Sequence, residues 1–346
     1  MLRLPKRLCV VLPTVMLGCL VGALAPPIAD GAANRPTAIV ALGDSSAAGE
    51  GGGGYVTGTR GEGGDWCHRS PNAYVQHTGL ASTAINLACS GARSTDVAFG
   101  APSHYTERSQ AEQLTDVART RRVTTVLVQL GANDEPAFGT TVVRCAAVFL
   151  SPRSPNCSSA LAKEWPGRLA AMAPRVQRAL ADVRTGLHRA GYRDQDYQLV
   201  LLSYSSPVTE MMTRPHGVTG CPYRSEDARW GRTVGVPQLS ATLRGVAERS
   251  GARFLDLARA AEGHEACTAA GPEWVRRLTV NPSVFVYGGG LAAAGHLAQE
   301  SFHPNATGYA RVASCLTQFV RGGDRQAACR IGSDGALRPV AEVPAS

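Results

Sequence analysis

Four short polar blocks in this chain carry side chains that could together perform acyl transfer. They are Gly-Asp-Ser-Ser at residues 43–46, Ser-Gly at 90–91, Gly-Ala-Asn-Asp at 131–134 and Glu-Ser-Phe-His-Pro-Asn at 300–305. A serine hydroxyl becomes a good nucleophile when a base removes its proton, and that base needs a partner on its other ring nitrogen. We predict Ser45 as the nucleophile, His303 as the base and Glu300, just before the histidine, as the acid that orients it.

The same blocks offer hydrogen-bond donors for the oxyanion of a tetrahedral intermediate, which acyl transfer requires. We predict that these donors are the backbone N–H groups of Ser45 and Gly91 and the side-chain amide of Asn133. Asp44 and Asp134 are expected to hold their loops by hydrogen bonds. A metal site in these loops would need two closely spaced histidines or a tight acidic cluster, which the sequence lacks. We therefore expect no metal and no cofactor.

Predicted strands and helices alternate along the chain and place these blocks at strand ends. The predicted strands cover residues 37–42, 84–88, 123–130, 198–204 and 252–257. The predicted helices cover residues 110–120, 169–190, 238–250 and 305–320. Because the carboxyl ends of parallel strands meet at one edge of an open sheet, the first three blocks should lie close together. The sequence therefore predicts an α/β fold with a mostly parallel sheet covered by helices on both faces.

The chain is large enough to build one sizeable core. Its 346 residues are 44% hydrophobic and 18% charged, which excludes whole-chain disorder. We interpret residues 34–346 as a single domain with disulfide-bearing loop insertions near 135–165 and 205–237. The glycine-rich segment 49–64 is expected to be a mobile surface loop.

Residues 1–33 have the pattern of a secretory signal peptide. A basic beginning precedes an uncharged apolar run over residues 8–25, and small residues follow. Cleavage is expected within residues 25–33, with a site near Ala33 favoured because Pro26 disfavours a cut after Ala25. The alternatives are an uncleaved membrane anchor and a lipoprotein signal around Cys19, although the apolar run continues past that cysteine. We therefore expect a secreted protein.

Cysteine usage agrees with export. The cysteines that follow the signal segment are Cys67, Cys89, Cys145, Cys157, Cys221, Cys267, Cys315 and Cys329. An even number of cysteines in an exported protein predicts disulfides. Our working hypothesis is sequential pairing, because each pair would then enclose one local loop. A zinc site is disfavoured, since it would use paired short spacings such as Cys-x2-Cys.

The charge distribution argues against a nucleic-acid partner. Lysine and arginine number 35 against 27 acidic residues, which gives a net charge of +8. The basic residues are scattered and do not form the run or stripe that is typical of a nucleic-acid surface.

Taken in order, the four blocks resemble those of the SGNH (GDSL-type) hydrolase family of esterases and lipases, especially its secreted, disulfide-bearing actinobacterial members. Ser45 lies in a segment similar to the nucleophile block, and Gly91, Asn133 and His303 occupy positions similar to the family's oxyanion glycine, oxyanion asparagine and catalytic histidine. The resemblance spans residues 39–320 and implies a flavodoxin-like three-layer α/β/α sandwich. Glu300 departs from the family pattern, which has an aspartate there, and some relatives orient the histidine with a backbone carbonyl instead.

The expected function is that of a secreted serine esterase or lipase that hydrolyses carboxylic esters through an acyl-enzyme on Ser45. Its partner would be a small-molecule or lipid ester, with transient contact to a lipid surface, and we expect a monomer. A carbohydrate O-deacetylase or a phospholipase acting at the same site is the alternative among enzymes. A catalytically silent protein that binds a glycan or another partner on the same fold is the alternative outside them.

Overall fold

The computed structural model describes residues 34–135, 137–212, 220–288 and 291–342. The predicted signal peptide, residues 1–33, lies outside the described residues. In the described part of the chain, no helix combines the length and the apolar character needed to span a membrane.

A seven-stranded sheet forms the centre of the molecule. Its strands are β1 (Thr37–Gly43), β2 (Thr83–Asn86), β3 (Arg122–Gln129), β4 (Gln198–Leu202), β5 (Arg253–Asp256), β6 (Gln326–Ile331) and β7 (Leu337–Ala341). The order across the sheet is β2-β1-β3-β4-β5-β6-β7; the first six strands are parallel and β7 is antiparallel to β6. The predicted mostly parallel sheet is confirmed, and β6 and β7 extend it beyond the five predicted strands.

Helices cover both faces of this sheet. In the described ranges they are α1 (Ser45–Ala48), α2 (Ser94–Val97), α3 (Gln110–Thr120), α4 (Phe138–Phe149), α5 (Cys157–Arg189), α6 (Ser225–Trp230), α7 (Val236–Arg249), α8 (Val284–Tyr287) and α9 (Ala306–Arg321). Helices α3, α5 and α7 pack on one face through Leu114, Leu180 and Leu243. Helix α9 packs on the other face through Leu316 and Phe319. These layers form the predicted α/β/α sandwich.

Strand β1 shows why the central strands are apolar throughout. Ala38, Val40 and Leu42 belong to the core cluster that includes α5, whereas Ile39 and Ala41 belong to the cluster that includes α9. Successive side chains of a strand point to opposite faces of the sheet. A strand covered on both faces therefore has no position at which a polar side chain meets water.

Helix α5 is longer than the helix predicted over residues 169–190. It begins at Cys157 and contains Pro166 and Pro174. Proline lacks a backbone N–H donor and disfavours a helix interior, yet both prolines lie within this helix. Leu161 and Trp165 are buried on the earlier turns, so tertiary packing supports them. The segment predicted as an insertion near 135–165 consists mainly of α4 and the first turns of α5.

The eight cysteines form disulfides in sequential order. The pairs are Cys67–Cys89, Cys145–Cys157, Cys221–Cys267 and Cys315–Cys329. The hypothesis of sequential pairing is confirmed. The second bridge joins α4 to α5, and the third links the segment predicted as an insertion near 205–237 to a residue outside it.

The first part of the glycine-rich segment 49–64 is not the surface loop that was expected. Residues 49–52 are buried, and the Tyr309 hydroxyl donates to the carbonyl of Glu50 over 2.7 Å. Gly51 has a φ of +83°, and a Cβ built there would lie 3.0 Å from the Cβ of His303. Glycine permits this close backbone approach. The glycines at the start of this segment therefore allow tight packing.

Candidate active site

Ser45 lies on a sharp turn at the carboxyl edge of the sheet. Strand β1 ends at Gly43, whose φ is +134°, and a Cβ at this position would lie 1.9 Å from the carbonyl oxygen of Gln129 on β3. A glycine is therefore required where the chain leaves the strand. Asp44 then caps α1 by accepting a hydrogen bond from the backbone of Ser46, and Ser45 is the first residue of that helix.

The histidine loop brings an imidazole onto the serine hydroxyl. His303 Nε2 lies 2.7 Å from Ser45 Oγ, and His303 Nδ1 lies 3.0 Å from the carbonyl oxygen of Ser301. A carbonyl oxygen only accepts hydrogen bonds, so Nδ1 carries the proton and Nε2 is left as the acceptor for the hydroxyl proton. Removal from bulk water lowers the pKa of the His303 imidazole below its ordinary value. Burial therefore favours the neutral form of the histidine, which is the form that can accept a proton.

The hydrogen bond predicted between Glu300 and His303 is not formed. Glu300 Oε1 accepts from Asn281 Nδ2 over 2.8 Å, and Glu300 Oε2 lies 3.5 Å from Arg276 Nε. The carbonyl of Ser301 occupies Nδ1 instead. The prediction of Glu300 as the orienting acid is therefore wrong in its geometry, because a backbone group within the histidine loop reaches the ring where a side chain was expected.

The predicted oxyanion groups share one cavity with the serine and the histidine. This cavity has a volume of about 550 Å³, and its lining includes Ser45, Gly91, Asn133 and His303. Asn133 Nδ2 donates one hydrogen bond to the carbonyl of Ala92 over 3.1 Å. An amide nitrogen has two hydrogens, so this contact orients the side chain and leaves a second donor for a ligand.

Comparison with known proteins decides the family. Residues 41–311 match the model of the GDSL-like Lipase/Acylhydrolase family. The chain belongs to this family. The match includes the turn of Ser45, the segments that contain Gly91 and Asn133, and the histidine loop.

Relatives of this GDSL-like hydrolase include Streptomyces proteins. It is 27% identical to Lipase 2 of Streptomyces coelicolor over 231 residues, which is 64% of this chain and 70% of that protein. The extracellular lipase of Streptomyces rimosus has a similar fold, with a TM-score of 0.50 and 23% identity over 79% of this chain and 94% of that one. Phospholipase A1 of Streptomyces albidoflavus has a TM-score of 0.57 and 20% identity, over 83% of this chain and 100% of that one.

The two aspartates that lie next to Ser45 and Asn133 in this GDSL-like hydrolase hold their loops, as expected. Asp44 Oδ2 accepts from the Tyr204 hydroxyl over 2.5 Å, and Asp134 accepts from the Ser94 hydroxyl over 2.9 Å. Burial raises the pKa of Asp44 to about 7, although the hydrogen bonds from Tyr204 and from the backbone of Ser46 oppose that rise. The buried carboxyl of Asp44 thus stabilises the turn through its hydrogen bonds.

One wall of the cavity is apolar. Phe138, Val142 and Ala146 line it from α4, and Tyr223 and Leu278 line it from later loops. A second, narrower pocket of about 70 Å³ shares Phe138, Val142 and Tyr223 with this wall and is also lined by two tryptophans, Trp165 and Trp230. Helix α4, which was predicted to be part of an insertion, therefore forms part of the site.

A buried carboxylate beside the site was not predicted from the sequence. Glu50 is fully buried, and its Oε1 lies 3.0 Å from His68 Nδ1. Its Oε2 accepts from the Ser90 hydroxyl over 2.6 Å and from Gln299 Nε2 over 2.7 Å. The signal in the sequence is an acidic residue inside a glycine run, five residues after Ser45.

One cluster among the described residues has the composition of a metal site. Ligand atoms of Asp65, Cys67 and Glu107 lie within 4.8 Å of one another. However, Cys67 is bonded to Cys89, and Glu107 pairs with Arg69. These partners occupy the sulfur and one carboxylate, so the cluster does not offer three free ligands.

Proposed function

We propose that this GDSL-like hydrolase is a serine esterase or lipase that cleaves carboxylic esters through an acyl-enzyme on Ser45. The observation that carries the proposal is the 2.7 Å contact between Ser45 Oγ and His303 Nε2 at the wall of the cavity. Membership of a lipase and acylhydrolase family supports an ester hydrolase.

In the first half of the reaction, Ser45 Oγ attacks the ester carbonyl carbon while its proton moves to His303 Nε2. The carbonyl oxygen gains the negative charge, and the N–H groups of Ser45 and Gly91 and the amide of Asn133 stabilise it. The intermediate then collapses, the bond to the alcohol oxygen breaks, and Nε2 returns its proton to that oxygen. The alcohol leaves, and the acyl group stays on Ser45.

In the second half, His303 Nε2 removes a proton from water, and the resulting hydroxide attacks the acyl carbon. The second tetrahedral intermediate uses the same donors. When it collapses, the bond to Ser45 Oγ breaks and Nε2 gives the proton back to the serine. The Ser301 carbonyl holds Nδ1 throughout, so the ring keeps one orientation in both halves.

We propose that the acyl part of the substrate is an aliphatic chain that lies along the apolar wall. Phe138, Val142 and Ala146 bring α4 against the cavity that contains Ser45. Burial of apolar surface contributes about 0.8 kcal/mol per methylene, so a chain of several carbons gains substantial binding free energy there. Val143 lies on the same helix and is 67% exposed, which supports transient contact with a lipid surface.

Hydrolysis of p-nitrophenyl acetate, butyrate and palmitate by the purified chain, compared with its Ser45→Ala variant, tests this function. We expect the unmodified protein to prefer butyrate or palmitate to acetate. Ser45→Ala should lower kcat by about 10⁴-fold or more while the fold is retained. A Ser45→Ala variant with more than a tenth of the activity would reject the nucleophile. A strong preference for acetate would reject the aliphatic-chain proposal and favour an O-deacetylase.

We further propose that the protein acts outside the cell as a monomer. The four disulfides support an oxidising environment, and the first residues have the signal-peptide pattern. Expression of the full chain in a secreting host tests this. The protein should appear in the medium with its first residue between positions 26 and 34, and it should elute as a single copy.

A further inference from the structure

A buried carboxylate joins the loops that carry the site. Glu50 Oε1 accepts from the Tyr55 hydroxyl and lies beside His68 Nδ1, both over 3.0 Å. Glu50 Oε2 accepts from the Ser90 hydroxyl and from Gln299 Nε2. Ser90 precedes the oxyanion glycine, and Gln299 lies on the histidine loop. Four donors thus meet one carboxylate that lies outside the mechanism derived above.

The backbone of the same segment is attached to the two reacting residues. The N–H group of Glu50 donates to the carbonyl of Ser45 over 2.9 Å. The next residue, Gly51, lies so close to His303 that a Cβ would come within 3.0 Å of the histidine Cβ. Glu50 therefore connects the nucleophile turn, the oxyanion segment and the histidine loop.

The carboxylate of Glu50 is ionised although it is buried. Burial opposes ionisation, but the hydrogen bond and charge of His68 and the hydrogen bond from Ser90 together hold the pKa of Glu50 below its ordinary value. Glu50 in turn acts on His303. Desolvation lowers the pKa of His303, whereas the negative charge of Glu50 raises this pKa, and raises it more than the charge of Glu300 does. Glu300 also has Arg276 beside it, which offsets its charge.

We propose that Glu50 is the positioning carboxylate of this site: it holds the three loops in register and, by its charge, favours the imidazolium form of His303. The proposal rests on the proposed function, since the imidazolium arises when the proton of Ser45 moves to Nε2. The backbone beside Glu50 packs against His303, and a negative charge favours the charged form of a cation more strongly where water is excluded. The Ser301 carbonyl orients the ring, and Glu50 supplies the negative charge that Glu300 was predicted to supply.

Other ionisable groups also act on this pair and must stay unchanged in the experiment. Those with a hydrogen bond, ion pair or charge interaction with Glu50, His303 or their immediate neighbours are His68, Tyr55, Tyr105, Tyr309, His296, Arg276 and Glu300. The substitution is therefore confined to residue 50.

The test uses the full mature chain and the Glu50→Gln variant, which removes the charge and keeps the shape. The pKa of His303 is followed by NMR on histidine-labelled protein, with the resonance assigned from His303→Gln. The acid limb of kcat/KM for p-nitrophenyl butyrate is measured in parallel. We expect both the pKa and the acid limb to move down by about one pH unit, and kcat to fall about tenfold with little change in KM. Glu50→Asp should return the acid limb to its original position.

Asp256→Asn is the matched control. Asp256 is buried and accepts hydrogen bonds from Ser203, Ser240, the backbone of Ala258 and Arg330. Its pKa is also lowered, because these partners outweigh burial. Asp256→Asn should lower stability as Glu50→Gln does, without moving the pKa of His303. If Glu50→Gln leaves that pKa and the acid limb in place, the electrostatic role is overturned, whatever the loss of activity.

Two further variants separate the positioning role of Glu50 from its electrostatic role and from the proposed ester hydrolysis. Gln299→Leu removes the hydrogen bond from the histidine loop to Glu50, together with the contacts of Gln299 to His296 and to the Trp66 carbonyl, and keeps the charge of Glu50. It therefore tests positioning even where Glu50→Gln does not fold. We expect a fall in kcat of about fivefold with an unchanged acid limb, and an unchanged kcat would overturn the positioning role. The Ser45→Ala arm tests ester hydrolysis by itself, because the NMR titration of His303 needs no substrate turnover.

Discussion

The orientation of His303 depends on one backbone group, and this has a consequence for Glu300. Because the Ser301 carbonyl holds Nδ1, Glu300→Gln should lower kcat by less than about tenfold. If Glu300 were the orienting acid, the same change would cost about 10⁴-fold, as the comparable change does in a serine protease. The measurement is kcat for p-nitrophenyl butyrate, with thermal unfolding as a check that the variant is folded.

Glu300→Asp gives the matching control, since it keeps the charge and shortens the reach. Both variants should behave alike if Glu300 only holds Asn281 and Arg276 in place. A folded Glu300→Gln variant that loses a thousandfold or more in kcat, beside an active Glu300→Asp, would instead show that the carboxylate contacts the histidine during turnover.

At the scale of the element, the turn between β1 and α1 contains a carboxyl that resists ionisation. Burial raises the pKa of Asp44 from 3.8 to about 7, so between these values the folded chain holds a proton that the unfolded chain has lost. The contribution of Asp44 to the free energy of unfolding is therefore fully present below about pH 4 and is lost as the pH rises through 7. The slope approaches about 1.4 kcal/mol per pH unit for this one group.

Asp44→Asn should remove that slope, because an amide does not titrate. We expect the difference in unfolding free energy between the original protein and Asp44→Asn to favour the original at pH 4.5 and to shrink steadily towards pH 7. Urea unfolding at several pH values measures it. A difference that does not change with pH would mean that Asp44 is already ionised in the fold.

At the scale of the whole molecule, the four disulfides close loops of very different length. Cys221 and Cys267 are 46 residues apart, whereas Cys145 and Cys157 are 12 apart. In the chain-entropy account, a bridge that closes a longer loop removes more freedom from the unfolded chain. The four cysteines of these two bridges are all buried. Their replacement by alanine should therefore remove similar amounts of packing contact from each site.

We therefore expect replacement of both Cys221 and Cys267 by alanine to lower the unfolding free energy about 1 kcal/mol more than the same change at Cys145 and Cys157. Urea unfolding of the two double variants gives the comparison. Equal losses, or a larger loss at the shorter loop, would contradict the entropic account. Thiol counting on the denatured, unreduced protein should find no free cysteine among the eight.

Several features of this protein followed from the sequence because they are local. The positions of Ser45, Gly91 and Asn133 after apolar runs placed them at one sheet edge, since parallel strands share a direction. Helix α3 was predicted with its observed bounds, because the helical pattern that indicates it lies within the segment itself. Sequential cysteine pairing was a working hypothesis, made because each pair would then enclose one local loop, and the structure has this pairing.

Other features depend on residues far apart in the chain, and only the tertiary structure decided them. Strand β6 needs β5 beside it to complete its hydrogen bonds, and the early turns of α5 are helical despite Pro166 because Leu161 and Trp165 are buried against distant segments. The partner of His303 was undecided between a side chain and a carbonyl, since loop conformation sets which one reaches Nδ1. Glu50 became visible only in the fold, where donors from positions 55, 68, 90 and 299 converge on it. A buried charge is stable only when such partners surround it, and one-dimensional spacing does not contain that arrangement.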